Sequence, residues 1–211
     1  MYFVDKIEVF DVGQLPSPSL IAKVLTLQQK LIVNRDSILP VTGFLVSAFA
    51  PGELTQILTG GGRLQVAWAG QRPVGFSLTT GSELFTHLYR PRELGTLELF
   101  TDFIIRAERY LYQMAVDPDW IRRGVGSQLL EIEKKEAPEG LFCDVLEAPL
   151  RNSASVQFFV NRGFVPVGKL SLPRYRDFGE LKSLVLAFPP SVPTDRNTLF
   201  RPGLPKNKPL P

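Results

Sequence analysis

The sequence predicts one domain of the α/β (α+β) class, with strands and helices mixed in one layer system. Three observations carry this. Segments with strand and helix character alternate along the chain. One pair of strand segments meets at a two-residue turn. Near the middle, a strand runs through turn residues and glycines into an amphipathic helix.

In order, Lys6 to Val12 is a short strand candidate. Ser17 to Leu31 has Leu20, Ile21, Val24, Leu25, Leu27 and Leu31 near helical spacing, with Ser17-Pro18 as a start signal. Pro51 to Leu58 is a second short helix, stopped by the glycines at 60–62. Leu64 to Ala69 and Pro73 to Leu78 are strands joined at Gly70-Gln71. Residues 81–106 form a long connection rich in Leu, Phe and Arg, and a loop of that length is uncommon without a task. Tyr110 to Val116 is a strand, Arg123 to Glu136 a helix, Leu141 to Leu146 a strand and Ser153 to Arg162 a helix. Phe164 to Leu170 and Lys182 to Phe188 close the sheet. The domain therefore spans residues 1–188. From 189 to 211 there are seven prolines and no periodic pattern, which predicts an extended or disordered tail.

Composition narrows the function. A net charge of +3 from 24 basic and 21 acidic residues is too mild to argue for nucleic acid, and no basic helix with interleaved aromatics appears. The run from Ile38 to Ala50 is short and broken by Pro40, Thr42, Gly43 and Ser47, whereas a membrane span needs roughly 20 apolar residues. The start of the chain lacks the basic and apolar regions of a signal peptide. One cysteine, Cys143, allows no internal disulfide and suits a reducing cytoplasm; with one histidine, His87, a His/Cys zinc site is not expected.

Chemistry concentrates in two segments. In the first, a strand ends at Val116, Asp117-Pro118-Asp119 turns the chain, and Arg122-Arg123-Gly124-Val125-Gly126-Ser127 opens a helix with Val125, Leu129 and Ile132 on one face. A helix start carries about four free N–H groups and roughly half a positive charge. Glycines without Cβ let an anion reach those amides, and Arg122 and Arg123 add cationic donors. Basic residues otherwise oppose the dipole at a helix start. A Walker motif is absent, and GxGxxG fails because residue 129 is leucine. In the second segment Asn152 is a helix N-cap, and Gly163 with Phe164 is a C-terminal stop.

The two segments together, R-R-G-V-G-helix, strand, Asn-led helix and G-F, resemble the GNAT superfamily of acyl-CoA N-acyltransferases, over roughly residues 64–188. The resemblance implies a GNAT-like mixed central sheet flanked by helices, with a splayed strand pair holding the CoA arm, and a transfer of acetyl from acetyl-CoA to an amine by direct attack, without a metal. Met114, Ala115 and Val116 would pair with the pantetheine arm. The amides of Arg122, Arg123, Gly124, Val125, Gly126 and Ser127 would hold the pyrophosphate. Asn152 would touch the cofactor arm, and Phe159 stands where many members have a tyrosine general acid. Ile121 replaces the usual Gln or Arg at the first motif position. Glu108, Glu98 and Asp102 are candidate bases in or beside the long segment, with His87 as a weaker one. Tyr175 is a candidate substitute acid. Cys143, Trp68 and Trp120 read as packing residues. The acceptor is an amine of a small molecule or protein; neither nucleic acid nor membrane is expected as a partner, and a homodimer is left open. The alternative is a GNAT-like module that binds acyl-CoA, does little chemistry and acts through a protein partner, which the missing tyrosine and the Pro-rich tail favour.

Overall fold

In the computed structural model, residues 4–10, 15–33, 43–83, 95–100, 107, 109–175 and 178–188 are described. The tail at 189–211, Glu108, Asp102 and His87 lie outside them. The hairpin expected at Gly70-Gln71 forms, with β2 (Arg63–Ala69) antiparallel to β3 (Arg72–Gly81) and Gly70 at φ 59°. A strand β1 (Lys6–Phe10) borders β2. On the other side of β3 come β5 (Arg109–Val116), β6 (Leu141–Ala148), β8 (Leu181–Phe188) and β7 (Val165–Leu172). A short strand β4 (Thr96–Leu99), within the stretch expected to be connection, completes the eight-stranded sheet at its far edge.

All neighbouring strands are antiparallel except β5 and β6. That parallel pair is registered only at Arg109 with Leu141 and Tyr110 with Phe142, after which the strands part. The separation is a V-shaped opening in the middle of the sheet, as the resemblance implies. On β5, Leu111 faces Thr79 and Gln113 faces Leu78, leaving Tyr112 as a bulge residue.

Four α-helices cover the sheet among the described residues. In α1 (Pro18–Gln29) the Ser17 Oγ accepts the Leu20 N–H, the expected cap. Leu20, Val24 and Leu27 of this helix, together with Leu31, pack with α2 (Pro51–Thr59) on Leu64, Val66, Phe76 and Leu78. The opposite face holds α3 (Val125–Lys135), whose Val125 and Leu129 pack on Ala67 and Val74. Next to it lies α4 (Ser153–Val160), whose Phe159 shares a cluster with Leu130, Leu141 and Cys143. Helix α3 approaches the sheet closely because β3 carries Gly75. A Cβ there would lie 2.8 Å from a Val125 methyl and 3.1 Å from the Ala115 carbonyl.

The interior also holds charge. Glu133 on α3 is fully buried and accepts from Ser77 Oγ at 2.6 Å and Thr79 Oγ1 at 3.2 Å. Burial pushes its carboxyl up from 4.5 to about 7, against the opposing pull of these hydrogen bonds and of Arg109 and Arg63.

Candidate functional site

The V between β5 and β6 opens into a cleft of about 930 Å³. Its mouth is set by the turn between β5 and α3. Asp117 is buried there and accepts its own loop's Asp119 N–H at 3.1 Å. Lys30 at 2.8 Å and Arg72 at 2.6 Å reach the same carboxylate from α1's end and from β3. Burial pushes the Asp117 carboxyl up, but those hydrogen bonds outweigh it and hold it below the ordinary carboxylate range. The turn is thereby tied to the end of α1 and to the start of β3. A 3₁₀ turn (Pro118–Trp120) follows, with Trp120 buried under the Arg123 guanidinium at 4.9 Å.

Next the chain enters left-handed backbone twice, at Arg122 with φ 63° and at Gly124 with φ 84°. Gly124 is the N-cap of α3 and no side chain caps the helix. The first helical hydrogen bond runs from the Gln128 N–H to the Gly124 carbonyl, so the preceding amides point out of the helix end. Arg122, Gly124, Val125, Gly126 and Ser127 line the cleft, and Arg123 is exposed beside them. The arrangement is an uncapped, positively polarised helix end facing a cleft, able to receive a phosphate.

Arg162 adds a cation that the sequence did not single out. It follows α4, stacks on Phe158 at 3.8 Å and donates to the Phe158 carbonyl and to Ser127 Oγ at 2.6 Å. It thus brings the start of α3 and the end of α4 together on the cleft wall.

The opposite wall is formed by residues 43–49, ahead of α2. Gln28 and Gln113, both buried, hold it. Gln28 Nε2 donates to Gln113 Oε1 at 2.5 Å, Gln28 Oε1 accepts the Phe49 N–H, and Gln113 Nε2 donates to the Ser47 carbonyl. Asn152 pins the same wall. Its Nδ2 donates to the Phe44 carbonyl at 3.0 Å while its Oδ1 accepts the Ser155 N–H and caps α4. The side chain expected to touch a cofactor arm therefore also positions the wall.

Of the other expected residues, Met114, Ala115 and Val116 line the cleft along the freed edge of β5, and Phe159 lines it while packing on Phe164. Tyr175 lines it from the connection between β7 and β8. Cys143 is buried, and burial pushes its thiol well up, with the neighbouring Asp144 adding to the effect. That suits packing rather than nucleophilic attack. Glu98 is not brought to the cleft: it is exposed on β4 at the sheet edge, opposite Lys169, with β7, β8 and β6 between it and β5. The short register with β7 that fixes this strand is a tertiary contact absent from the local sequence.

A carboxylate does line the cleft. Asp144 on β6 is two residues beyond the last β5–β6 pair and accepts from the Tyr110 hydroxyl at 2.5 Å. Burial pushes its carboxyl up, opposed by hydrogen bonds from Tyr110 and Ser183. The available signal was a single aspartate inside the apolar run from Leu141 to Leu146.

The chain belongs to the GNAT acetyltransferases: the family model for the acetyltransferase (GNAT) domain matches residues 61–166, half of the chain. No match is found among curated proteins. Among solved structures, the ribosomal-protein-S18-alanine N-acetyltransferase of Escherichia coli is similar at 14% identity and TM-score 0.56, covering 90% of this chain and 97% of that one. Ard1 from Thermoplasma volcanium is similar at 17% identity and TM-score 0.54, covering 86% and 97%. Naa50 of Arabidopsis thaliana, in complex with the bisubstrate analogue CoA-Ac-MVNAL, is similar at 13% identity and TM-score 0.52, covering 86% and 97%. These likenesses support the fold: a mixed, mostly antiparallel sheet flanked by helices. Among the described residues no helix is long and apolar enough to cross a membrane.

Proposed function

We propose that the protein transfers an acetyl group from acetyl-CoA to an amine by direct attack. The observation that carries this is the uncapped N-terminus of α3 at the mouth of the cleft, beside the freed edge of β5. The pyrophosphate would take the amides of Arg122 to Ser127, with Arg122 and Arg123 as countercharges. The pantetheine arm would lie along Met114 to Val116, flanked by Asn152 and Phe159, so that the thioester points toward the apex of the V. The amine nitrogen attacks the thioester carbonyl carbon, the C–S bond breaks, and the amine proton leaves to a carboxylate or an ordered water. Glu108, beside the first residue of β5, keeps its candidacy as that carboxylate; Glu98 starts from a sheet-edge position outside the cleft. A thiol has a pKa of about 8.5, so the thiolate is a tolerable leaving group without an acid. Tyr175, on the cleft wall, is the candidate to protonate it in place of Phe159.

The alternative, an acyl-CoA-binding module acting through a protein partner, is favoured by the phenyl ring of Phe159, which cannot give a proton. One experiment separates the two. Acetyl-CoA should raise the melting temperature, and free thiol should appear when acetyl-CoA is mixed with a panel of amines. A thermal shift without thiol release for any amine supports the binding module. No shift with acetyl-CoA refutes both.

A further inference from the structure

The acceptor half of the cleft has a distinct chemical character. Tyr110, Tyr112, Phe44, Val46, Leu172 and Tyr175 line it on the face opposite α3. The side chains are aromatic or aliphatic. Among the described lining residues the only acidic one is Asp144, and the only basic ones, Arg122 and Arg162, belong to the α3 and α4 side. Asp144 has hydroxyl partners, Tyr110 on β5 and Ser183 on β8, and among the described residues no cation within ion-pair distance. A carboxylate inside an apolar cleft without a cation is costly unless a ligand brings one.

We infer that Asp144, steered by Tyr110 and Ser183, binds the acceptor as a single ammonium group carried on an apolar, preferably aromatic, body, and takes the proton that frees its nitrogen for attack. This rests on the acetyltransfer proposed above and names the substrate class of that same site. The position fits the step. Asp144 is two residues beyond the last β5–β6 pair, and the expected route of the acyl arm ends there. One N–H proton of the ammonium passes to the carboxylate, the nitrogen lone pair forms the new C–N bond to give a tetrahedral centre, and its collapse breaks C–S and releases the thiolate. The second proton leaves the nitrogen as the tetrahedral centre collapses, and ends on solvent or the departing sulfur. A polyamine would bring further charges into a wall that has one carboxylate among hydrophobic rings, so it should be rejected.

The test uses the full chain, acetyl-CoA, and two acceptors, phenethylamine and spermidine, with thiol release as the readout. Phenethylamine should be the better substrate by at least about tenfold in kcat/KM, the scale of roughly one specific contact. Asp144→Asn should raise KM for phenethylamine and lower kcat, together costing about 10²–10⁴-fold, the usual worth of a positioned base. KM for acetyl-CoA and the acetyl-CoA-induced thermal shift should stay unchanged, which also reports that the variant is folded. Tyr110→Phe should raise the amine KM with a smaller effect on kcat, as a positioning residue would. Equal use of spermidine, or an Asp144→Asn enzyme with unaltered amine kinetics, would overturn the inference. So would a normal acetyl-CoA shift without phenethylamine turnover. Loss of the acetyl-CoA shift in the unaltered protein would instead remove the acetyltransfer on which the inference stands. If Asp144→Asn does not fold, Tyr110→Phe and the acceptor preference decide.

Discussion

Replacing Glu133 by glutamine should make the protein more stable at alkaline pH and nearly unchanged in acid. Glutamine is nearly isosteric and can keep the bonds to Ser77 and Thr79, but it never ionises. Glu133 binds its proton more tightly folded, with a pKa of about 7, than its ordinary value of 4.5. Between those values the native state holds more protons than the unfolded one, so stability falls as pH rises. Below 4.5 the group is neutral in both states and costs nothing. Above about 7 it is charged in both states and the burial penalty is complete. The shift corresponds to about 3 kcal/mol at roughly 1.4 kcal/mol per unit. Urea unfolding of both proteins at roughly pH 4.5 and 8.5 isolates this group, because the remaining titrations cancel in the difference. The stability gap should widen by about 3 kcal/mol in favour of Glu133→Gln, equivalent to roughly 6–12 °C in melting temperature for a chain of this size. A gap independent of pH would refute the reasoning and mean that the carboxylate is solvated or ion-paired in the folded state.

Two further outcomes follow from the cleft. Gly124→Ala has room for its methyl group, 3.7 Å from Gln128 Nε2, so its cost is the left-handed φ of 84°. That costs about 1–2 kcal/mol, read as a fall of roughly 2–8 °C in melting temperature, and the acetyl-CoA-induced shift should shrink as the amides tilt. Asn152→Ala removes a cap worth about 0.5–2 kcal/mol and leaves the Phe44 carbonyl without its donor at about 1–3 kcal/mol. Asn152→Asp should recover the cap portion only, and urea unfolding of the two variants measures the difference.

Local rules reach far along this chain and stop at identifiable points. Ser17 as cap, the Gly70-Gln71 hairpin, the glycine-led α3 and the Asn152-led α4 are each encoded within a few residues, and each appears where its sequence signal lies. Strand β4 escaped because Thr-Leu-Glu-Leu is too short to show a period, and β7 supplies the register that makes it a strand. Glu98 stands on that strand, outside the cleft. Asp144 and Arg162 were hidden for a different reason. Their roles arise where β5 parts from β6 and where α4 ends beside α3, and neither meeting is written in local spacing. Glu133 reads in sequence as one acid among the Glu and Lys residues of a helix, and only packing against β3 makes it an interior charge.

The extra residue at Tyr112 gives a single strand two addresses. Before it, Tyr110 turns toward the tyrosine-rich wall; beyond it, Met114 and Val116 turn toward α3, so parity along β5 changes hands at one point. Substitutions on either side of that point can alter one substrate's compartment while leaving the other's lining in phase. Inserting one more residue between Gln113 and Met114 would shift the second half by one and turn Met114 and Val116 away from α3. A laboratory evolving new acceptors should therefore vary Tyr112 and leave Tyr110 and the length of the strand alone.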